Sequence, residues 1–182
     1  MKLTESLATF IAGTNYSDIS ARTIAAAKER LLDTIGAMLA GRAGWAYGDA
    51  LIEASRALGA GSYPAIGPDA RAQFPAARAA ALNATFAHAI ELDDGHKFAG
   101  VHAGAVVIPT ALVMAQECGA SGEETLAAIV LGYETVYRLA VAQSPELIDH
   151  GFHPSATCDT IGAMAVTGKL MKLSEEQLAN GL

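Results

Sequence analysis

The stretch Ala105-Val106-Val107-Ile108-Pro109-Thr110-Ala111-Leu112-Val113-Met114-Ala115-Gln116-Glu117 decides the fold class. Its β-branched run, Val106-Val107-Ile108, suits a strand, where branched side chains pack well on a pleated surface. Pro109 would remove a ladder donor from such a strand. Leu112, Met114 and Ala115 then carry the apolar pattern onward without the strict alternation of a half-buried strand. The stretch therefore reads as a buried helix, and with it the class of the whole chain becomes all-α.

Working outward, the neighbouring segments carry helical signals of their own. Phe74 to about Leu92 is Ala-rich, with Pro75 suited to a first turn. Ser121 to Glu124 is a capping box, Ser-x-x-Glu, opening a helix to about Ala142. Another helix follows Pro154 and reaches Met171, and Ser174 to Gln177 is a second capping box. Towards the N-terminus, Ile24, Leu31, Leu32, Ile35, Met38 and Leu39 form one stripe of a long amphipathic helix, Ile19 to Ala40, stopped at Gly41. Ser17 and Asp18 offer cap oxygens before it. Leu3 to about Gly13 is a short first helix, and Tyr47 to Leu58 a weaker third. Gly59 to Arg71, rich in Gly and Pro, reads as an irregular connection with room for a short extended piece. No repeat or linker divides the chain, so residues 1–182 are read as one domain.

Composition narrows the partners. Just over half of the residues, 52%, are hydrophobic and the net charge is −7 with no basic cluster. A nucleic-acid surface needs Lys and Arg concentrated to neutralise phosphates, so nucleic acid is not expected. The apolar start, Met1 to Gly13, is too short to cross a membrane and has no convincing cleavage site, and no membrane association is expected. Cys118 and Cys158 lack any cluster-ligand spacing and read as two reduced, buried thiols of a cytoplasmic protein. Asn83-Ala84-Thr85 matches a glycosylation acceptor within a helical pattern and reads as chance. The abundance of small apolar helix faces calls for cover, hence a homo-oligomer or a second chain.

The chemistry concentrates in His88-Ala89-Ile90-Glu91-Leu92-Asp93-Asp94-Gly95-His96-Lys97, followed by His102. Glu91 and Asp94, three apart at the end of a helix, can share one face. Acidic groups there oppose the helix dipole, a mild cost that a functional role would justify. The bland alternative is a solvated helix end. Carboxylate and imidazole together could also bind zinc or iron, but no two histidines are spaced i, i+4 on a clear helix. The second polar stretch is Gly151-Phe152-His153-Pro154-Ser155-Ala156-Thr157, where a helix N-terminus could receive a carboxylate ligand. Read alone, it is plain capping with His153 in a loop.

Together these segments resemble the MmgE/PrpD family. The resemblance rests on Ala80-Ala81-Leu82-Asn83 leading into His88 through His96, on His102-Ala103-Gly104-Ala105 continuing to Pro109, on Ser121-Gly122-Glu123 and Gly132-Tyr133-Glu134, and on Gly151-Phe152-His153 before Gly162-Ala163-Met164-Ala165. Leu32-Asp33-Thr34-Ile35-Gly36 looks like the family's opening helix. It departs from the decarboxylase and dehydratase pattern at Glu91, Gly95 and Ala103. The family includes 2-methylcitrate dehydratase, cis-aconitate decarboxylase and an iminodisuccinate epimerase.

The resemblance implies the N-terminal portion of a large bundle-like helical domain, with lysines and an α/β lid domain supplied by sequence absent from this chain. It implies metal-independent, cofactor-free proton movement next to a carboxylate of a small di- or tricarboxylic acid. His102, His153 and Asp93 become the candidate catalytic groups, and Glu91, Asp94, His96, Lys97 and Ser155 the candidate substrate contacts. An imidazole is the natural base near neutral pH, with carboxylates to orient it. The alternatives are a non-catalytic helical subunit or degenerate paralogue, and a His/Asp metal hydrolase.

Overall fold

The computed structural model describes residues 2–67 and 72–182. Positions 68–71, the end of the expected irregular connection, lie outside the described residues. Nine α-helices run in chain order among the described residues: α1 (Leu3–Gly13), α2 (Ala21–Gly44), α3 (Gly48–Arg56), α4 (Ala76–His88), α5 (Ala103–Cys118), α6 (Gly122–Ala142), α7 (Glu146–Asp149), α8 (Pro154–Leu170) and α9 (Glu175–Gly181). The only strands described are β1 (Tyr63–Pro64) and β2 (Gln73–Phe74), a two-residue antiparallel pair with Tyr63 opposite Phe74. The class is all-α.

The deciding stretch is helical from Ala103 to Cys118, with Pro109 inside it. Val107, Ile108, Pro109 and Ala111 are buried, so packing outweighs the cost of the missing donor. Helix α5 is the centre of the fold, flanked by α4, α6, α8 and α2. The layers meet through small residues. A Cβ on Gly132 of α6 would come within 2.9 Å of Val107 and 2.7 Å of Val166, and one on Gly162 of α8 within 2.3 Å of Val136. Backbones therefore approach closely, and an Ala/Gly-rich composition still yields a dense core.

Several local expectations change. Helix α2 begins later, with Ser20 as its cap accepting from the Thr23 N–H, while Tyr16 to Asp18 form a separate 3₁₀ turn. It also runs through Gly41 to Gly44. Gly41 is no stop signal: a Cβ there would stand 1.9 Å from the Phe86 carbonyl oxygen, so the glycine is needed where α2 crosses α4. On the same helix Leu32 is 74% exposed and Leu39 47%, so the expected stripe is only partly buried. Helix α4 ends at His88 rather than near Leu92. Asn83, whose acceptor motif reads as chance, is indeed buried: its Oδ1 accepts the Ile66 N–H at 2.7 Å and its Nδ2 donates to the Pro64 carbonyl at 3.2 Å. The short helix after Ser174 docks on α1 of the same chain, with Leu178 fully buried beside Ile11 and Ala8.

Helix α6 is long and apolar enough by composition to cross a membrane, and half of its apolar window is buried inside the fold against α5 and α8. That burial is what a core helix requires.

Candidate functional site

The connection between α4 and α5 builds one wall of the site. After His88 the chain turns through Glu91, which adopts a left-handed φ of 55°. A single antiparallel bridge, His96 N–H to the Val101 carbonyl at 2.9 Å, closes the loop. The turn folds Asp93 and Asp94 inward, each 9% exposed. Asp94 is fully partnered: Oδ1 accepts the Gly104 N–H at 3.0 Å and Oδ2 accepts the Tyr133 hydroxyl at 2.8 Å. A carboxylate on an unpaired N–H of the first turn of α5 also complements the helix dipole. Gly104 must be glycine here, because a Cβ would stand 2.4 Å from Asp94 Oδ1 and 2.6 Å from the Tyr133 hydroxyl.

Asp93 serves two imidazoles. His88 Nδ1 lies 3.0 and 3.1 Å from its two oxygens, and with a carboxylate as acceptor that nitrogen is the N–H donor. His102 Nδ1 stands 3.3 Å from Oδ2, close but not aligned as a hydrogen bond. The two rings sit 4.8 Å apart, tilted by 59°. Glu91, mostly exposed, reaches His88 Nε2 at 3.5 Å.

The start of α8 is the opposite wall. His153 is its N-cap, with Nδ1 accepting the Ala156 N–H at 3.4 Å. Ser155 Oγ accepts the backbone N–H of His102 at 2.9 Å, tying the beginnings of α5 and α8 together across 53 residues. One turn further along, Asp159 is buried, and neither of its oxygens has a hydrogen-bond partner. Burial pushes its carboxyl up to about 7, against the opposing influence of the Ser155 hydroxyl. Asp94 and Asp93 push in the same direction as burial, while His88 opposes it. Burial and the Asp94 carboxylate likewise hold the Tyr133 and Tyr137 hydroxyls in their neutral form. Burial raises the Cys158 thiol too, which leaves it an unreactive core group, whereas Cys118, expected to be buried as well, ends α5 exposed.

Between these walls lies a cleft of about 450 Å³, lined among others by Trp45, His88, His102, His153, Ser155 and Asp159. His102, His153 and Ser155 thus meet in one cleft, with Asp93 buried behind two of its imidazoles. The other sequence-derived residues do not join them. Asp94 is committed to Gly104 and Tyr133. His96 stacks on Tyr137 at 4.7 Å, and Lys97 is exposed with its Nζ 5.8 Å from the Phe98 ring centre. Glu91 and Asp94 do not share a helix face, because the helix has already ended. A larger cleft of about 580 Å³ lies near Tyr16, Ser121 and Lys172, but it gathers no histidine, and Lys172 pairs with Glu124 at 3.0 Å.

Sequence reading left His88 without a role and missed Asp159. The signal for Asp159 was its place one helical turn after Ser155 and three residues before Gly162, on the face of α8 that packs inward. As for metals, His88, Asp93 and His102 offer ligand atoms within 4.8 Å of one another. Two imidazoles and a carboxylate would fit a divalent transition ion.

The model of the MmgE/PrpD N-terminal domain matches residues 5–182. The chain belongs to the MmgE/PrpD family. Within this family it is 30% identical to a cis-aconitate decarboxylase-like protein of Aspergillus oryzae, over 96% of this chain and 37% of that protein. It is 26% identical to the human cis-aconitate decarboxylase over 99% of this chain and 38% of the relative, and 27% identical to that of Aspergillus terreus over 57% and 22%. The MmgE/PrpD segment thus spans less than two fifths of the curated relatives it matches.

Proposed function

We propose that this chain forms the histidine-bearing half of the active site of an enzyme that moves a proton next to a carboxylate in a small di- or tricarboxylic acid, by dehydration, decarboxylation or epimerisation. The observation that carries this reading is the meeting of His102 and His153, 51 residues apart in sequence, across one cleft with a buried carboxylate behind His102. The names of the relatives add the substrate class.

A proton on carbon beside a carboxylate is weakly acidic, so its removal needs a base at the carbon and fixed positive charge at the developing enediolate. His102 Nε2 is the natural base, because Asp93 stands at its Nδ1 and stabilises the imidazolium formed on proton uptake. His88 shares Asp93 and holds that carboxylate in place. His153 faces the substrate from the other wall and is suited to return or deliver a proton. Both histidines cap helices, α5 and α8, whose N-terminal ends favour anions. The resemblance puts lysines and a lid in sequence beyond the matched segment. On this reading residues 1–182 alone turn over little substrate, because an open cleft lets water weaken every charge interaction in it.

The chemistry needs no metal, since imidazole and carboxylate supply both the base and its partner. Metal analysis of the purified protein, and assay after chelation, distinguish this from a His/Asp metal hydrolase. The direct test is turnover of cis-aconitate, methylcitrate and iminodisuccinate, with solvent deuterium exchange at the carbon next to the carboxylate, by full-length protein and by H102Q. The expected loss in H102Q is about 10²- to 10⁴-fold. Unchanged exchange in a folded H102Q protein would remove His102 as the base. The oligomeric assembly expected from exposed Leu32, Leu39 and Phe98 belongs to the same proposal and is read by sedimentation.

A further inference from the structure

Of the three buried aspartates at or behind the cleft, two have partners within the protein. Asp93 is paired with His88, and Asp94 with Gly104 and Tyr133. Asp159 is buried to the same degree or more, lines the cleft directly, and has no partner for either oxygen. Buried polar groups in folded proteins are nearly always hydrogen-bonded, and an exception needs a cause. A protonated carboxyl carries one O–H donor, and the polar side chain beside it on α8, Ser155, favours the charged form and already accepts the His102 N–H with its oxygen. The cavity that the Asp159 side chain borders is the cleft itself.

We propose that Asp159 is a substrate-binding residue that meets its ligand as a neutral carboxylic acid and donates its O–H to one carboxylate of the bound di- or tricarboxylate. This rests on the reading of the cleft as a carboxylate site, and it names a contact which that reading does not require. An acid–carboxylate hydrogen bond is charge-assisted and strong. It also removes a repulsion, because an ionised Asp159 would face the negative charges of Asp94 and Asp93 from the opposite wall.

The groups facing Asp159 are few. His88, Asp93 and Asp94 come from the α4–α5 connection, Tyr137 from α6, and His102 from the cap of α5. Cys158 is its neighbour, while His153 and Ser155 lie on the preceding turn. Helices α1 and α9 meet α8 at its far end, where Lys169 donates to the Ala12 carbonyl at 2.9 Å. The carboxyl, held up to about 7 by its burial, is therefore half-protonated near neutrality and holds its proton below it.

The test is calorimetric titration of full-length protein and D159N with succinate, a dicarboxylate with no double bond to react. If only the protonated form binds, affinity falls with the protonated fraction. The wild-type dissociation constant then rises about tenfold more than that of D159N as pH is raised from about 7 to about 8.5. The amide of D159N keeps a donor and carries no charge, so its titration reports the histidines alone. Parallel curves for the two proteins overturn the proposal while leaving the carboxylate site intact. No succinate binding at any pH overturns the proposal together with the reading beneath it. Should D159N fold poorly, infrared difference spectra of the wild-type protein decide the matter. A protonated-carboxyl band present near pH 6, shifted by succinate and lost at high pH supports the proposal, and its absence near pH 6 overturns it.

Discussion

The first turns of α5 and α8 face each other across the cleft, each has a histidine cap, and each has a buried aspartate close by. At α5 every polar atom of Asp94 is used: one oxygen takes a backbone N–H and the other a tyrosine hydroxyl. At α8 the oxygens of Asp159 are left open. The difference separates architecture from chemistry. A carboxylate with all its partners inside the protein holds the fold together and has nothing left to offer a ligand, whereas one without partners imposes a cost that only a ligand or a proton relieves.

The comparison breaks most completely if Asp94 is removed. D94A leaves the Gly104 N–H and the Tyr133 hydroxyl buried without their acceptor, and the expected loss is about 2–5 kcal/mol in chemical denaturation. A loss below about 1 kcal/mol would mean that Asp94 is not structural after all.

Next comes the pH dependence of stability at Asp159. Burial holds it up to about 7 from an ordinary 3.8. The folded chain therefore keeps a proton that the unfolded chain has already released. Stability from this group is full below about pH 4, falls as pH rises, and is lost once pH passes about 7. The expected difference between wild type and D159N over that window is about 2–4 kcal/mol, read as the change in their denaturation midpoints with pH. Identical pH profiles would show that Asp159 takes up no extra proton on folding.

A smaller effect is expected from G104A. The added methyl meets Asp94, Tyr133 and Thr34 oxygens at 2.9 Å or less, and about 1–3 kcal/mol is lost as α5 is pushed off its contacts. Full stability in G104A would show that the first turn of α5 tolerates more slack than its packing suggests. The smallest is S155A, which deprives the His102 N–H of its acceptor. About 1 kcal/mol of stability should go. A double-mutant comparison with H102Q then shows whether the link between the two helix starts also positions the imidazole.

Much of this architecture is legible in the sequence because it rests on local rules. Pro109 and the apolar positions after it settle α5 as a helix, and the Ser121 and Ser174 capping boxes form as their spacing requires. The candidate histidines could be picked out as residue types in polar stretches, although their meeting across the cleft is a property of tertiary packing. What escaped was set by contacts distant in sequence. Gly41 reads as a helix stop and is instead a close approach to Phe86, because a glycine looks the same in either role. Asp159 reads as an ordinary polar residue of α8 until the packing of α5 and α6 buries it. His96 and Lys97 looked like ligand contacts by proximity to Asp94, yet the tight turn after Glu91 sends them to a different face.

Trp45 is the only tryptophan in the chain, and its indole lies on the rim of the histidine cleft. Emission from an indole depends on the polarity and quenchers around it, and here one neighbour is the Tyr47 ring at 5.6 Å while the cleft supplies the rest of the surroundings that a ligand could change. The molecule thus carries its own fluorophore at the place where a ligand would arrive. Stopped-flow mixing with a colourless carboxylic acid can time its arrival and departure without a label, an engineered probe or turnover.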